Sequence, residues 1–304
     1  MADISSNTTT PNENDCRFQG QTIVITGAGG NFGRAGCLYF CQRGARVAAM
    51  DVNAEALQQT VTFVQDTIQA TAKTPPTIAA FVCNVTDAAS VATAMQAVVD
   101  KFGRIDLLWN NAGYQGEIKP TLEYDPVDFD RVMRINVTGM FIVLQAAARQ
   151  MTQQHQKEQQ ENNSGVSHPY SIVNTASVAG LRGTPAMVAY ASSKAAVLSM
   201  TVSTSKDLAP HGIRVNAVSP ALIGPDDGYM WRRQNELHAS SGSPYFARDP
   251  AVVAQAKVNS VPLKRLGTVE EVVQSVAFLL SREASYTTGT NLVIDGGMSS
   301  GLRC

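Results

Sequence analysis

Short apolar runs rich in β-branched residues recur along the chain. Each is followed by a stretch whose apolar positions repeat with helical spacing. Thr22–Thr26 (TIVIT) stops at glycines and reads as a strand buried on both faces. Residues 31–43 then follow a helical period and end at Gly44, a favoured helix terminator. The alternation continues with a strand at 46–51, a helix at 55–70, a break at Pro75-Pro76 and a strand at 78–83. Asp87 is placed to cap a helix running to Phe102, and a fourth strand follows at 105–109. A long helix is predicted over 127–151, with Val132, Ile135, Met140, Val143 and Ala147 on its apolar side. Strands at 171–174, 214–218 and 291–294 alternate with helices at 186–208 and 269–280. Seven strands alternating with helices predict an α/β fold: a doubly wound, Rossmann-like parallel sheet of seven strands in a single domain.

Two stretches break this rhythm. Residues 152–168 (TQQHQKEQQENNSGVSH) are polar and glutamine-rich, and predict an exposed extension of the long helix plus a loop. His155 and His168 are expected to face solvent there. Residues 222–262 carry Pro225, Tyr229, Trp231, Pro244 and Pro250 and no clear period, which suggests a long binding loop or lid. The first 17 residues are polar and predict a flexible tail, so the domain spans 18–304.

Composition narrows the function. Only 16% of residues are charged, well below the usual ~25%, and 24 basic against 25 acidic residues give a net charge of −1. That balance offers no electrostatic footprint for nucleic acid or an anionic membrane. No run approaches the length of a membrane-spanning helix, and no secretory signal is visible, so a cytoplasmic location is expected. On that expectation the Asn-x-Ser/Thr matches at Asn7, Asn84, Asn136 and Asn162 are accidental. Cysteines stand at 16, 37, 41, 83 and 304, in no metal-binding spacing; buried thiols and no metal are expected.

The candidate chemistry begins after the first strand. Thr26-Gly27-Ala28-Gly29-Gly30-Asn31-Phe32-Gly33 links it to the first helix. Glycines there allow a tight turn and let a pyrophosphate approach free N–H groups at the helix N-terminus. Asp51 ends the second strand, where a carboxylate accepts both ribose hydroxyls of NAD and repels the 2′-phosphate of NADP. Tyr190 and Lys194 stand at i, i+4 and share one helix face. An ammonium about 5 Å from a phenol, at an effective dielectric of ~20, is worth roughly 3 kcal/mol, about two pK units towards the phenolate. Ser177 lies just beyond the fifth strand, placed to hold a reacting oxygen. It is no hydrolytic nucleophile, because His211 and His238 lack the context of a triad base.

Together the glycine turn, Asn110-Asn111-Ala112-Gly113, Asn136, Ser177, Tyr190-x-x-x-Lys194 and the Pro220 segment resemble the short-chain dehydrogenase/reductase family over residues 18–298. The resemblance implies hydride transfer between a nicotinamide and a carbinol carbon, with Tyr190 as acid/base and Asn136, Ser177 and Lys194 completing the catalytic set. Asn136 is expected to hold a water that carries protons from Lys194 to solvent. The resemblance places Gly27, Gly30, Asn31, Phe32, Gly33, Asp51, Asn84, Val85, Asn111, Ala112, Gly113, Tyr190, Lys194, Pro220 and Ile223 around the cofactor. Gln115, Ser177, Tyr190 and Trp231 face the substrate in this reading, with Tyr114, 178–183 and 222–238 as further walls.

The chain departs from the family pattern at four places, one of them Ala221 in place of the glycine after Pro220. Asn31 replaces the middle glycine of the turn, where its side chain could cap the helix; Asn84 replaces an aspartate; Ile223-Gly224-Pro225 replace a threonine beyond Pro220. Backbone groups near Ile223 are then expected to anchor the nicotinamide. Within the family, NNAGYQG at Asn110 and YMWRRQNEL at Tyr229 are most similar to bacterial NAD-dependent xylitol dehydrogenases. The expectation is therefore an NAD enzyme acting on a small alcohol or ketone, first of all a polyol, as a homo-oligomer (dimer or tetramer). Two alternatives stay open: a carbonyl or 3-oxoacyl thioester reductase on the same fold, and a nucleotide-binding protein without catalysis.

Overall fold

The computed structural model describes residues 17–70, 75–161, 170–226 and 228–300. The N-terminal stretch to residue 16, residues 162–168 of the glutamine-rich segment, Asp227, the Tyr229 side chain and Cys304 lie outside the described residues.

Seven strands form one parallel sheet in the order β3-β2-β1-β4-β5-β6-β7. They are β1 (Thr22–Thr26), β2 (Arg46–Asp51), β3 (Ile78–Val82), β4 (Leu107–Asn110), β5 (Tyr170–Thr175), β6 (Ile213–Pro220) and β7 (Asn291–Ile294). The chain winds outward from β1 in one direction, then returns to place β4 on its other side. The carboxyl ends of β1 and β4 therefore border the switch point where doubly wound sheets bind ligands. Strands β1, β4, β5 and β6 are buried along their whole length, as unbroken apolar runs require when helices cover both faces.

One face carries α1 (Asn31–Gln42), α2 (Ala54–Gln69) and α10 (Val269–Leu280), packed around Phe18, Phe40, Trp109 and Val276. The other carries α3 (Ala88–Phe102), α4 (Pro126–Met133), α5 (Met140–Glu161), α6 (Ala179–Arg182) and α7 (Val188–Leu208), with Met95, Val143, Met151 and Tyr170 in its core. Short polar side chains start many of these helices. Asn53, Asp87 and Asp125 accept the Ala56, Ala89 and Val127 N–H groups, and Thr268 forms a reciprocal capping box with Glu271.

The structure corrects the sequence reading in three places. The helix expected at 127–151 is broken: α4 passes through a π-helical turn, Arg134–Gly139, into α5, which continues to Glu161. The polar segment is not merely exposed. Gln154 accepts the Ile105 N–H (2.9 Å) and donates to the Ile105 carbonyl (2.8 Å), so a side-chain amide pairs with buried backbone just ahead of β4. Glu158 accepts from Arg104 and from the Tyr170 hydroxyl, both at 3.0 Å, and the half-buried His155 ring packs edge-on against Tyr170. Finally, 222–262 is largely helical: α8 (Tyr229–Ser240) and α9 (Pro250–Asn259) pack together as a two-helix cap, with Asp249 accepting the Ala251 N–H. Cys37, Cys41 and Cys83 are buried free thiols, and burial pushes Cys37 up to about 12. Among the described residues no helix is long and apolar enough to cross a membrane.

Candidate active site

The site collects at the carboxyl ends of β1, β2, β4, β5 and β6. The Thr26 hydroxyl accepts the N–H groups of Asn111 (2.9 Å) and Ala112 (3.0 Å), tying the end of β1 to the loop after β4. Asn111 donates back to the Thr26 carbonyl, and the Thr175 hydroxyl donates to Asn111 Oδ1. Residues 111–113 are thus held between β1 and β5, beside the glycine turn.

That turn has the shape of a phosphate cradle. A Cβ at Gly33 would stand 2.2 Å from the Gly27 carbonyl oxygen, so only glycine lets α1 start this close to β1. Gly30, rather than Asn31, is the N-cap of α1, and no side chain caps it. Asn31 is already helical and points to solvent, so the expected cap is absent and the first N–H groups of α1 keep their capacity for an anion. Asp51 is held beside the turn: Oδ2 accepts the Gly29 N–H and Oδ1 the Asn53 N–H, both at 2.9 Å. This pairing of a bare helix N-terminus with a fixed carboxylate one strand away fits a dinucleotide, pyrophosphate on α1 and adenosine ribose at Asp51. Asn84 sits exposed after β3 with its Oδ1 accepting from Thr86, and Val85 packs close to Gly139 of the π turn.

At the far end of the cradle, the β-bridge between Ile223 and Gly267 uses the Leu222 carbonyl and the Gly224 N–H. Ile223's own peptide groups therefore point away from Gly267, in keeping with the backbone anchor expected there. The Pro220 carbonyl closes β6 and accepts from the Val178 N–H and, at 3.4 Å, from the Ser177 hydroxyl.

The four residues expected to be catalytic meet between β5 and α7. Lys194 is buried and donates to the Thr175 carbonyl at 2.7 Å. Its Nζ lies 5.6 Å from the centre of the Tyr190 ring. Burial holds the Lys194 ammonium down to about 8. Tyr190 shows the opposite of the expected lowering. Burial pushes its phenol up, and the hydrogen-bonded Ser177 pulls it down by less. Burial thus works against the charged form of each group.

Asn136 sits in the π turn, where one extra residue per turn re-aims a side chain. Its amide donates to the Tyr114 carbonyl (2.8 Å) and the Ser193 hydroxyl (3.0 Å), and its Oδ1 accepts the Tyr114 N–H (2.7 Å). Both amide protons are engaged, so this side chain clamps the loop after β4 to α7. Gly113 lies directly over it: a Cβ there would be 3.4 Å from Asn136 Oδ1 and 3.6 Å from Lys194 Nζ.

Of the residues expected to face substrate, Gln115 is half-buried and accepts from Gln234 Nε2 of α8 at 3.4 Å. Trp231 is buried within the cap, with Lys257 Nζ 5.3 Å over its ring. Sequence reasoning missed Gln234, because α8 is polar on most sides and shows no period. It also missed Asp128, whose role appears only when the loop folds onto it.

A Rossmann-like sheet with this tetrad and cradle defines a dinucleotide-dependent oxidoreductase. The family profile described as Enoyl-(Acyl carrier protein) reductase matches residues 27–299, and the chain belongs to the short-chain dehydrogenase/reductase family, whose members oxidise or reduce at CH–OH groups. It is similar to the crystal structure of an NAD+-bound xylitol dehydrogenase, 44% identical, with 92% of this chain and 100% of that chain covered and a TM-score of 0.83. The sorbitol dehydrogenase of Cereibacter sphaeroides is 32% identical over 92% of this chain and 98% of its own length. The 3-oxoacyl-[acyl-carrier-protein] reductase of Thermotoga maritima is 36% identical over 93% and 99%.

Proposed function

We propose that the protein is an NAD(H)-dependent dehydrogenase that interconverts a small polyol, xylitol in the first instance, and its ketone. The observation that carries the cofactor preference is the Asp51 carboxylate, fixed by the Gly29 and Asn53 N–H groups where an adenosine ribose would lie. A 2′-phosphate there would meet a like charge. The polyol part rests on the paired amides of Gln115 and Gln234, next along the chain from the Tyr114 that Asn136 holds, which suit several hydroxyls, and on the likeness to xylitol and sorbitol dehydrogenases.

When bound, the nicotinamide supplies a hydride acceptor for oxidation and a donor for reduction. The protein's own residues handle the oxygen and its proton. Ser177 holds the substrate oxygen by a hydrogen bond. Tyr190 takes the hydroxyl proton during oxidation and returns it during reduction. Lys194, buried and bonded to the Thr175 carbonyl, supports the phenolate as charge develops on it. Asn136 keeps the loop after β4 in register with α7, so Gly113 and Tyr114 stay over the reacting groups.

The test is NAD reduction with five- and six-carbon polyols beside simple secondary alcohols, set against the reverse reaction with 3-oxoacyl thioesters. The thioester reading is favoured by the reductase relative. Turnover of thioesters without turnover of polyols would establish it in place of the polyol reading.

A further inference from the structure

The loop after β4 is held twice. Asn136 grips the backbone of Tyr114. A second hold comes from Asp128, a nearly buried carboxylate of α4. Its Oδ1 accepts the Tyr114 hydroxyl at 3.1 Å. Its Oδ2 accepts the Glu117 N–H at 2.8 Å and the Tyr124 hydroxyl at 2.7 Å. Between these points the chain turns at Gly116, which has φ +73°. A Cβ there would be 2.5 Å from Val132 Cγ2 and 2.8 Å from Asp128 Oδ2. The loop is therefore pressed flat onto α4, and the Arg131 guanidinium covers the Tyr114 ring at 4.6 Å. Gln115 lies between the two holds, and its side chain meets Gln234 of the cap.

We propose that Asp128 is a positioning residue that fixes the 114–117 turn on α4 and so sets how tightly the enzyme grips its alcohol. Two features separate this role from general stability. Both holds meet at Tyr114, but Asn136 takes its backbone and Asp128 only its hydroxyl, so the backbone clamp beside Tyr190 and Lys194 stays in place when Asp128 is changed. The turn that loosens carries Gln115, on the substrate side and away from the cradle at Gly27–Gly33. Loss of Asp128 should then act on alcohol affinity, not on the dinucleotide or on proton transfer. The proposal rests on the dehydrogenase reading above, but not on which alcohol is preferred.

The experiment compares the unmodified enzyme with Asp128→Asn and with Tyr124→Phe. The substrate is whichever alcohol or ketone the panel above shows to be turned over. In Asp128→Asn the amide keeps the shape, but one oxygen, either the one that accepted the Tyr114 hydroxyl or the one that accepted the Glu117 N–H and the Tyr124 hydroxyl, becomes a donor. The KM for alcohol is expected to rise about tenfold, with kcat and the KM for NAD changed by less than about threefold. Tyr124→Phe removes one of the three donors and should give a smaller rise of the same kind. A second readout is independent of activity. Burial raises the phenols of Tyr114 and Tyr124, and the Asp128 carboxylate that accepts their hydroxyl protons raises both further. Alkaline titration of tyrosine absorbance in Asp128→Asn should show two phenols ionising at lower pH than in the unmodified protein. An unchanged KM for alcohol in a folded Asp128→Asn enzyme overturns the proposal. So does an equal rise in the KM for NAD, or a fall in kcat with KM unmoved. If no alcohol or ketone is turned over by the unmodified enzyme, the dehydrogenase reading fails first, and an unshifted tyrosine titration would refute the Asp128 contacts as well.

Discussion

At the scale of single residues, the site keeps a buried ammonium that costs stability. Lys194 falls to about 8 from an unfolded value near 10.5, so the unfolded chain binds more protons between those pH values. The penalty is present in full below pH 8 and is relieved as pH rises towards the unfolded value. At neutral pH it is worth about 3 kcal/mol by the usual conversion. Lys194→Met should therefore raise the melting temperature of the ligand-free protein at pH 7, and the gain should shrink by pH 10, while activity collapses. Calorimetry at the two pH values checks it. Tyr190→Phe should lower kcat by about 10²-fold or more, the scale of a lost general acid/base, with NAD binding nearly intact by fluorescence titration. Asp51→Ser combined with Val52→Arg should narrow or invert the NAD preference, read as the ratio of kcat/KM for the two cofactors. Asn136, Ser177, Tyr190 and Lys194 could be proposed from the sequence because the chemistry expected of them demands fixed residue types at fixed spacings. The state of Tyr190 was not, because a Coulomb estimate from spacing omits desolvation, and here desolvation wins.

At the scale of elements, strands were legible wherever an apolar run met a glycine or a polar end. Thr22–Thr26, Arg46–Asp51 and Asn291–Ile294 fall where the pattern places them. Helices with polar surroundings were not. In α8, YMWRRQNELHAS, too few apolar positions repeat to betray a period, yet α9 carried a readable start in Asp249-Pro250, an N-cap followed by a proline in the first turn. The π turn was hidden for another reason: α4 and α5 read as one helix, and only the tertiary placement of Asn136 reveals the extra residue. The extension of α5 reverses a simple inference from polarity, since its glutamines and glutamate bond to fold elements instead of water. Gln154→Ala should cost about 1–3 kcal/mol, because it strips partners from both peptide groups of buried Ile105. Urea unfolding of that variant against Gln153→Ala, an exposed neighbour, measures the difference.

At the scale of the whole molecule, α5 and α7 leave apolar side chains uncovered. Phe141 and Val202 are 43% and 44% exposed, and a cavity of about 500 Å³ lies between the two helices, lined by Phe141, Leu144, Ala148, Thr204 and Leu208. Self-association through this face would bury them, in line with the dimer or tetramer expected from the family resemblance. Light scattering at micromolar concentration should report an oligomer, and Phe141→Glu should shift it to a smaller species; a monomeric unmodified protein would contradict the expectation. A parallel sheet also has two unlike ends. Arg104, Gln154 and Glu158, and the Arg214 guanidinium that gathers the last carbonyls of α10, brace the end where strands begin, and the reacting groups occupy the end where they finish. The two sets share no side chain, so their effects should add without coupling in a double variant such as Gln154→Ala with Tyr190→Phe. A scaffold divided in this way can exchange one substrate for another at its chemical end while its foundations drift separately, and a lineage can change what it oxidises without learning again how to fold.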